Sequence, residues 1–357
     1  HPLNQFLEEI KKTTSFNSQI NLLPLKATAI GEFIAASLSL TLQEIQPLID
    51  IVIEKTAGNP FFIKEFIKSL NEQGILTKNK KNQWHWDEQL THRLTATDNV
   101  IELMAIRLTH VSTLGQNILH HAACIGSVVS IDLLTYVVGL TNKDVERALR
   151  PLIADGLLIA YSQNQQIDTL EQIKFSHDKI QQAAYLLANP VPKSLIHYKV
   201  AQYYLSNINS TLIKNSYTDD NIFDYIEHLN LASSLYIEQG NEKLLAHFNN
   251  VAGQKALESN DYNSALYYFE QAEHYLDKQH WQQEYKLSLS IALGKANVLY
   301  LTQDYQQGNL HFQQHSALIS NIIDQAHFTK VQVLSLIAQN EMQKAFDLGI
   351  ATLQAIS

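Results

Sequence analysis

Turn-forming residues are scarce in this chain: 12 Gly and 7 Pro are spread over 357 positions, about half the usual frequencies. A chain so short of them cannot supply the many tight turns of a sandwich or barrel, so a mainly α fold is expected. The apolar residues agree, recurring at three- and four-residue steps along most of the length. They make up 45% of the chain against 17% charged residues, which is enough for a sizeable core and argues against global disorder. The length suits two or three domains.

Charge and cysteine content narrow the function classes. Lys and Arg number 26 against 35 Asp and Glu, a formal net charge of −9. The densest basic cluster is the short run Lys78 to Lys81. A polyanion binder needs a basic face, so no nucleic-acid partner is expected. One cysteine, Cys124, cannot form an intramolecular disulfide, and a cytoplasmic protein is expected. No apolar run reaches the roughly 20 residues of a spanning helix, so no membrane segment is expected. The opening His1-Pro2-Leu3 lacks an initiator Met and reads as a piece of a longer protein.

Along the chain, Leu3, Phe6, Leu7 and Ile10 have helical spacing, and Ser18 to Leu25 alternates like a short strand. Amphipathic helices are predicted over Thr28–Ser39 and Thr41–Ala57, ended by Gly58. Asn59 then reads as an N-cap and Pro60 as the first residue of the next helix. Ile75–Thr77 and Trp84–Trp86 flank a polar turn as a hairpin, whose aromatics read as a packed face. Helices at Asp98–Val111, Ser112–Ile125, Ile131–Val138 and Asn142–Asp155 precede two strands, Leu157–Tyr161 and Gln172–Ser176. Helices closed by a β-hairpin form the winged-helix pattern. Beyond Asn189-Pro190-Val191-Pro192 the chain reads as helical to its end. There Asp261-Tyr262, Ala265 and Phe269 recur as Asp304-Tyr305, Gly308 and Phe312, and more loosely as Glu341-Met342 and Ala345. Offsets of about 40 residues predict tetratricopeptide-like repeats stacked as an α-solenoid.

Motifs for self-sufficient chemistry are missing. The 357 residues contain no GxxxxGK[ST] phosphate loop, GxSxG elbow, HExxH, CxxC or GxGxxG. His311 and His315 share a helix face but lack a third ligand, so no metal site is expected. The adjacent His120 and His121 point to different faces and cannot chelate together.

Two segments stand out: Gly58-Asn59-Pro60-Phe61-Phe62, and FSHDKIQQAAY from Phe175 to Tyr185. With Ile20 to Leu25 (INLLPL), Asn99 to Met104 (NVIELM) and Ile337 to Leu353, they resemble the STAND signalling ATPases. The likeness is to bacterial multidomain proteins that join a serine/threonine kinase, an AAA-like ATPase and a sensor histidine kinase of two-component systems. It spans nearly the whole chain, in order as well as in motif. It implies four parts: an ATPase-core remnant at 1–25, a helical lid at 26–74, a winged helix at 75–188 and tetratricopeptide-like repeats at 189–357. It implies ATP or ADP bound by the parent chain, with no catalysis by this piece. The nucleotide contacts it implies are Pro60 and Asn59 of the lid and His177, with Asp178 orienting the ring. The partners it implies are the parent's ATPase core and output domains, with a protein or signal ligand on the repeats.

Simpler roles stand beside these. Pro60 suits a first helical turn regardless of nucleotide, and His177 can cap the helix that follows it. A nucleotide-independent scaffold and a winged-helix DNA-binding regulator are the alternatives. The helix that would read DNA, Asn142–Asp155, sets Lys143, Arg147 and Arg150 against Asp144, Glu146 and Asp155 and has no net charge, unlike a groove reader.

Overall fold

The computed structural model describes residues 22–72, 74–81, 83–86, 100–161, 170–187, 189–207, 221–276 and 280–356. The helix expected over 3–10 and the start of the strand expected over 18–25 lie outside these residues. The chain is mainly helical, with eighteen α-helices and five short strands among the described residues. They fall into two compact units. One runs to Gln116 and takes back His177–Leu187; the other holds Asn117–Ser176 and everything after Leu187.

In the first unit, α1 (Ala27–Leu38), α2 (Leu42–Thr56) and α3 (Pro60–Glu72) surround a core that includes Ile34, Ile45, Leu48, Val52, Phe66 and Leu70. Helices α2 and α3 begin where the sequence supplies a cap, Thr41 and Asn59, whereas Lys26 before α1 makes no capping bond. Thr41 opens α2 with a capping box: its hydroxyl accepts from Glu44 N–H, and the Glu44 carboxylate accepts from Thr41 N–H at 2.8 Å. Those bonds from Thr41 hold the Glu44 carboxyl below its usual range. The hairpin β1 (Leu76–Lys78) and β2 (Trp84–Trp86) pairs Leu76 with Trp86 and Lys78 with Trp84. Both tryptophans pack on the helical core, and Trp86 Nε1 donates to Glu44 O at 3.2 Å. Residues 22–26 form no strand. An extended segment becomes one only beside a partner, and here Leu25 N–H donates to Gly58 O instead. Helix α4 (Val100–Thr109) packs on α3, and the buried Arg107 guanidinium pairs with the buried Glu65 carboxylate.

Helix α5 (Thr113–Ile125) leads into the second unit. There β3 (Val128–Ser130), α6 (Ile131–Val138), α7 (Asn142–Ala154), β4 (Leu158–Tyr161) and β5 (Gln172–Phe175) form an antiparallel sheet of order β3-β5-β4 with its helices. Strand β3 was not foreseen in the sequence. The first unit regains the chain as α8 (Asp178–Leu186), which packs against α4.

The remaining helices of the second unit are α9 (Lys193–Asn207), α10 (Ile222–Leu231), α11 (Ser233–Glu238), α12 (Glu242–Glu258), α13 (Tyr262–His274), α14 (His280–Gln283), α15 (Tyr285–Leu301), α16 (Tyr305–His315), α17 (Ile322–Ala338) and α18 (Met342–Ile356). The recurrence seen in the sequence is also a recurrence of backbone. Asn260, Gln303 and Asn340 all take left-handed φ near 60°. The next residue's N–H then closes back by five residues, Asp261 to Ala256 O, Asp304 to Leu299 O and Glu341 to Leu336 O. This is one helix-ending turn built three times. Asp261 and Asp304 cap the following helices, accepting from Ser264 and Gln307 N–H at 3.2 Å. The small residues behave unevenly: Ala265 and Ala345 are buried, whereas Gly308 is half-exposed. The tightest approach lies elsewhere, at Gly253 and Gly294, which flank the ring of Phe269. Among the described residues no helix is long and apolar enough to cross a membrane.

Candidate functional site around Asn59, Pro60 and His177

The GNPFF segment is a helix start whose residues have separate jobs. Gly58 takes φ +75°, and a Cβ there would lie 2.7 Å from Leu25 O, so the position needs glycine twice over. Asn59 Oδ1 accepts from Phe61 N–H at 3.0 Å and Phe62 N–H at 3.4 Å, capping α3. Pro60 occupies the first helical position, where no donor is needed, and its ring is exposed. Phe61 and Phe62 are half-buried, while Ile63 and Phe66 turn into the core.

His177 occupies the matching place on α8. Its backbone is extended, its carbonyl accepts the first intrahelical bond from Ile180 N–H, and its Nδ1 accepts Lys179 N–H at 3.1 Å. The imidazole therefore caps the helix. Its face stacks on Phe61, with ring centroids 4.2 Å apart and planes 13° from parallel, and Phe62 closes a second side at 5.3 Å. Phe61, Phe62 and Lys179 N–H hold the ring, while Asp178 is exposed in the first helical turn.

The tautomer follows. A nitrogen that accepts a hydrogen bond carries no proton, so the neutral ring holds its proton on Nε2. That N–H is free of the cap and is the donor left for a ligand. The stack brings the N-termini of α3 and α8 together, each with a partial positive charge of about half a unit, although Asn59 already takes the Phe61 and Phe62 N–H groups of α3. Both helices are fixed from behind by α4, through the Glu65–Arg107 pair on one side and apolar packing on the other.

Sequence reasoning picked out Asn59, Pro60, His177 and Asp178, and the structure brings the first three into one neighbourhood. It missed Phe61, the residue that joins them. One other group among the described residues has metal-ligand chemistry: Glu273, His311 and His315, with ligand atoms within 4.8 Å of one another. On helix α7 one of the three basic side chains is paired within the helix, Arg147 donating to Asp144 at 2.7 Å.

No protein-family model matches the chain. It is similar to Hybrid signal transduction histidine kinase G of Dictyostelium discoideum, with 25% identity over 339 residues, covering 78% of this chain. The chain spans about a tenth of the length of that curated relative.

Proposed function

We propose that this chain is a regulatory segment of a nucleotide-dependent signalling switch, in which ATP or ADP held by a separate core is sensed at Asn59, Pro60 and His177. The observation that carries the reading is the meeting of two helix N-termini at the Phe61–His177 stack, with the Nε2 proton of His177 left as a donor. Converging helix N-termini and a neutral imidazole donor suit a phosphate oxygen. Pro60 offers an exposed apolar ring beside them for a base. The phosphate loop and magnesium ligands would come from outside this segment, which itself hydrolyses nothing. The similarity to a hybrid signal transduction histidine kinase supports an output of the kinase kind, as does the resemblance to STAND-type ATPases in the order of lid, winged-helix and repeat-like segments.

The test is ADP titration of the longer polypeptide that joins this segment to its nucleotide core. His177→Asn keeps a strong helix cap and removes the Nε2 donor. A lost hydrogen bond to a charged phosphate predicts about a tenfold loss of ADP affinity or more, together with altered kinase output. Unchanged affinity and output in a folded variant would sink the reading.

A second reading, a nucleotide-independent scaffold, is favoured by α18. Its Met342, Phe346, Ile350 and Leu353 form an exposed apolar row at helical spacing, a surface suited to protein contact. It requires partner binding that does not change with nucleotide.

A further inference from the structure

The repeats hold a cluster that the nucleotide reading does not use. His311 and His315 lie one turn apart on α16, and Glu273 approaches from α13. His311 is buried; Glu273 and His315 are half-buried. His311 Nε2 lies 3.0 Å from Ala292 O on α15, and His315 Nδ1 lies 2.9 Å from His311 O. A carbonyl only accepts, so those two nitrogens carry protons, and in the neutral rings, the forms that bind a metal, His311 Nδ1 and His315 Nε2 are the lone pairs.

Both lone pairs face one carboxylate oxygen. Glu273 Oε1 is 3.1 Å from His315 Nε2 and 3.9 Å from His311 Nδ1. Ligands held at about 2.1 Å around a tetrahedral ion are roughly 3.4 Å apart; the two distances to Oε1 bracket that value, and with all three ligand atoms within 4.8 Å of one another the trio reaches it by a small inward turn of the side chains. The backbone carbonyls behind both rings are the outer-shell partners that fix the tautomer of a ligating histidine.

The site opens onto a cavity of about 480 Å³ lined by Trp281, Ser288 and Gln314 as well as by Glu273 and His315. Ser288 Oγ on that wall is buried with no hydrogen-bond partner, so the cavity has room and polarity for a further ligand. Lys295 opposes a cation, because its Nζ sits 2.7 Å from Glu273 Oε2. It engages the other carboxylate oxygen, however, and leaves Oε1 to the histidines.

We propose that Glu273, His311 and His315 form a binding site for a divalent transition-metal ion of the zinc type, with a fourth position open to the cavity. The ion would tie α13 to α16 across the repeat boundary. This proposal is independent of the nucleotide reading and can stand or fall alone.

The experiment titrates Zn2+, and Co2+ as its spectroscopic stand-in, into the metal-free chain, read by calorimetry, cobalt absorption and thermal unfolding. One tight equivalent is expected, with a tetrahedral cobalt spectrum and quenching of Trp281, whose ring lies 5.7 Å from His315. His311→Ala and His315→Ala should each weaken binding at least about tenfold, while His85→Ala on the exposed hairpin leaves it unchanged. Lys295→Met should tighten it by removing a competing cation. If the alanine variants unfold, Glu273→Gln, which keeps an oxygen acceptor but loses the charge, takes their place. Stoichiometry and affinity unchanged by these variants would overturn the site, as would absence of binding to the wild-type chain at micromolar metal.

Discussion

Gly294→Ala separates packing from propensity with a sign rather than a size. In an ordinary helix this change stabilises, because glycine lies about 1 kcal/mol below alanine. At position 294 a Cβ would stand 2.3 Å from Phe269 Cζ and 2.4 Å from Cε1, where carbons in contact prefer about 3.5–4.0 Å. The ring has nowhere to retreat. It is fully buried, and on its other flank a Cβ at Gly253 would already lie 2.8 Å from Cε1. Overpacking on this scale costs about 3 kcal/mol, so Gly294→Ala should destabilise by about 2 kcal/mol net of the propensity gain. Gly308 is the internal control. It sits in the neighbouring helix α16, and a Cβ there meets nothing nearer than Leu299 Cβ at 3.8 Å, so Gly308→Ala should stabilise by up to about 1 kcal/mol. Phe269→Leu in the Gly294→Ala background removes the clashing ring atoms and should recover part of the loss, giving a coupling of about 2 kcal/mol in a double-mutant cycle. Urea unfolding followed by far-UV circular dichroism reads the wild type, the two glycine variants, Phe269→Leu and the double variant. If Gly294→Ala and Gly308→Ala shift stability in the same direction, Phe269 does not lie between α12 and α15 as described.

Gly58→Ala should cost about 1–3 kcal/mol, because φ +75° and the approach of Leu25 O both exclude a side chain; retained stability in denaturant unfolding would refute this. Glu65→Ala leaves the buried Arg107 charge without its carboxylate and should cost about 3–5 kcal/mol, far more than a like change at an exposed pair such as Lys344–Glu341. The buried His197 and His228 share one Nδ1–Nδ1 hydrogen bond of 2.7 Å, and burial holds both near pKa 4 against an ordinary 6.5. Their neutral forms are favoured only in the folded state, so this contribution is complete above about pH 6.5 and is lost as pH falls toward 4. The loss is on the order of 2–3 kcal/mol per ring, and His197→Gln should flatten that part of the stability–pH curve.

What was legible in the sequence was what is decided locally. Asn59 and Pro60 specify a helix start within four residues, and the structure puts the cap and the first turn there. The helix over Ile131–Val138 begins at Ser130, whose hydroxyl accepts Leu133 N–H, and ends at Gly139. Pairings over distance were not legible. Strand β3 is three residues long and exists only because β5 lies beside it. Phe61 carries no local sign that a histidine 116 positions later will stack on it. Glu273 lies 38 residues before His311, a separation that means something only once the repeat offset has brought α13 and α16 together. Over the described residues 22–25 the alternation misled for the converse reason: a strand needs a neighbour, and Leu25 is bonded to a helix end.

The histidines show how a backbone partner fixes what a ring can bind. At His177 the partner of Nδ1 is an N–H, so that nitrogen is a lone pair and the proton lies on Nε2, which makes the free edge a donor for an anion. At His311 and His315 the partner is a carbonyl, so the proton is spent on the backbone and the free edge is a lone pair for a cation. At His197 and His228 the two Nδ1 atoms face each other in the core, and their bond serves packing and pH-dependent stability. One residue type thus offers a free N–H at one place, a pair of free ring nitrogens at another and a structural pair at a third, and in each case the group opposite one ring nitrogen decides which.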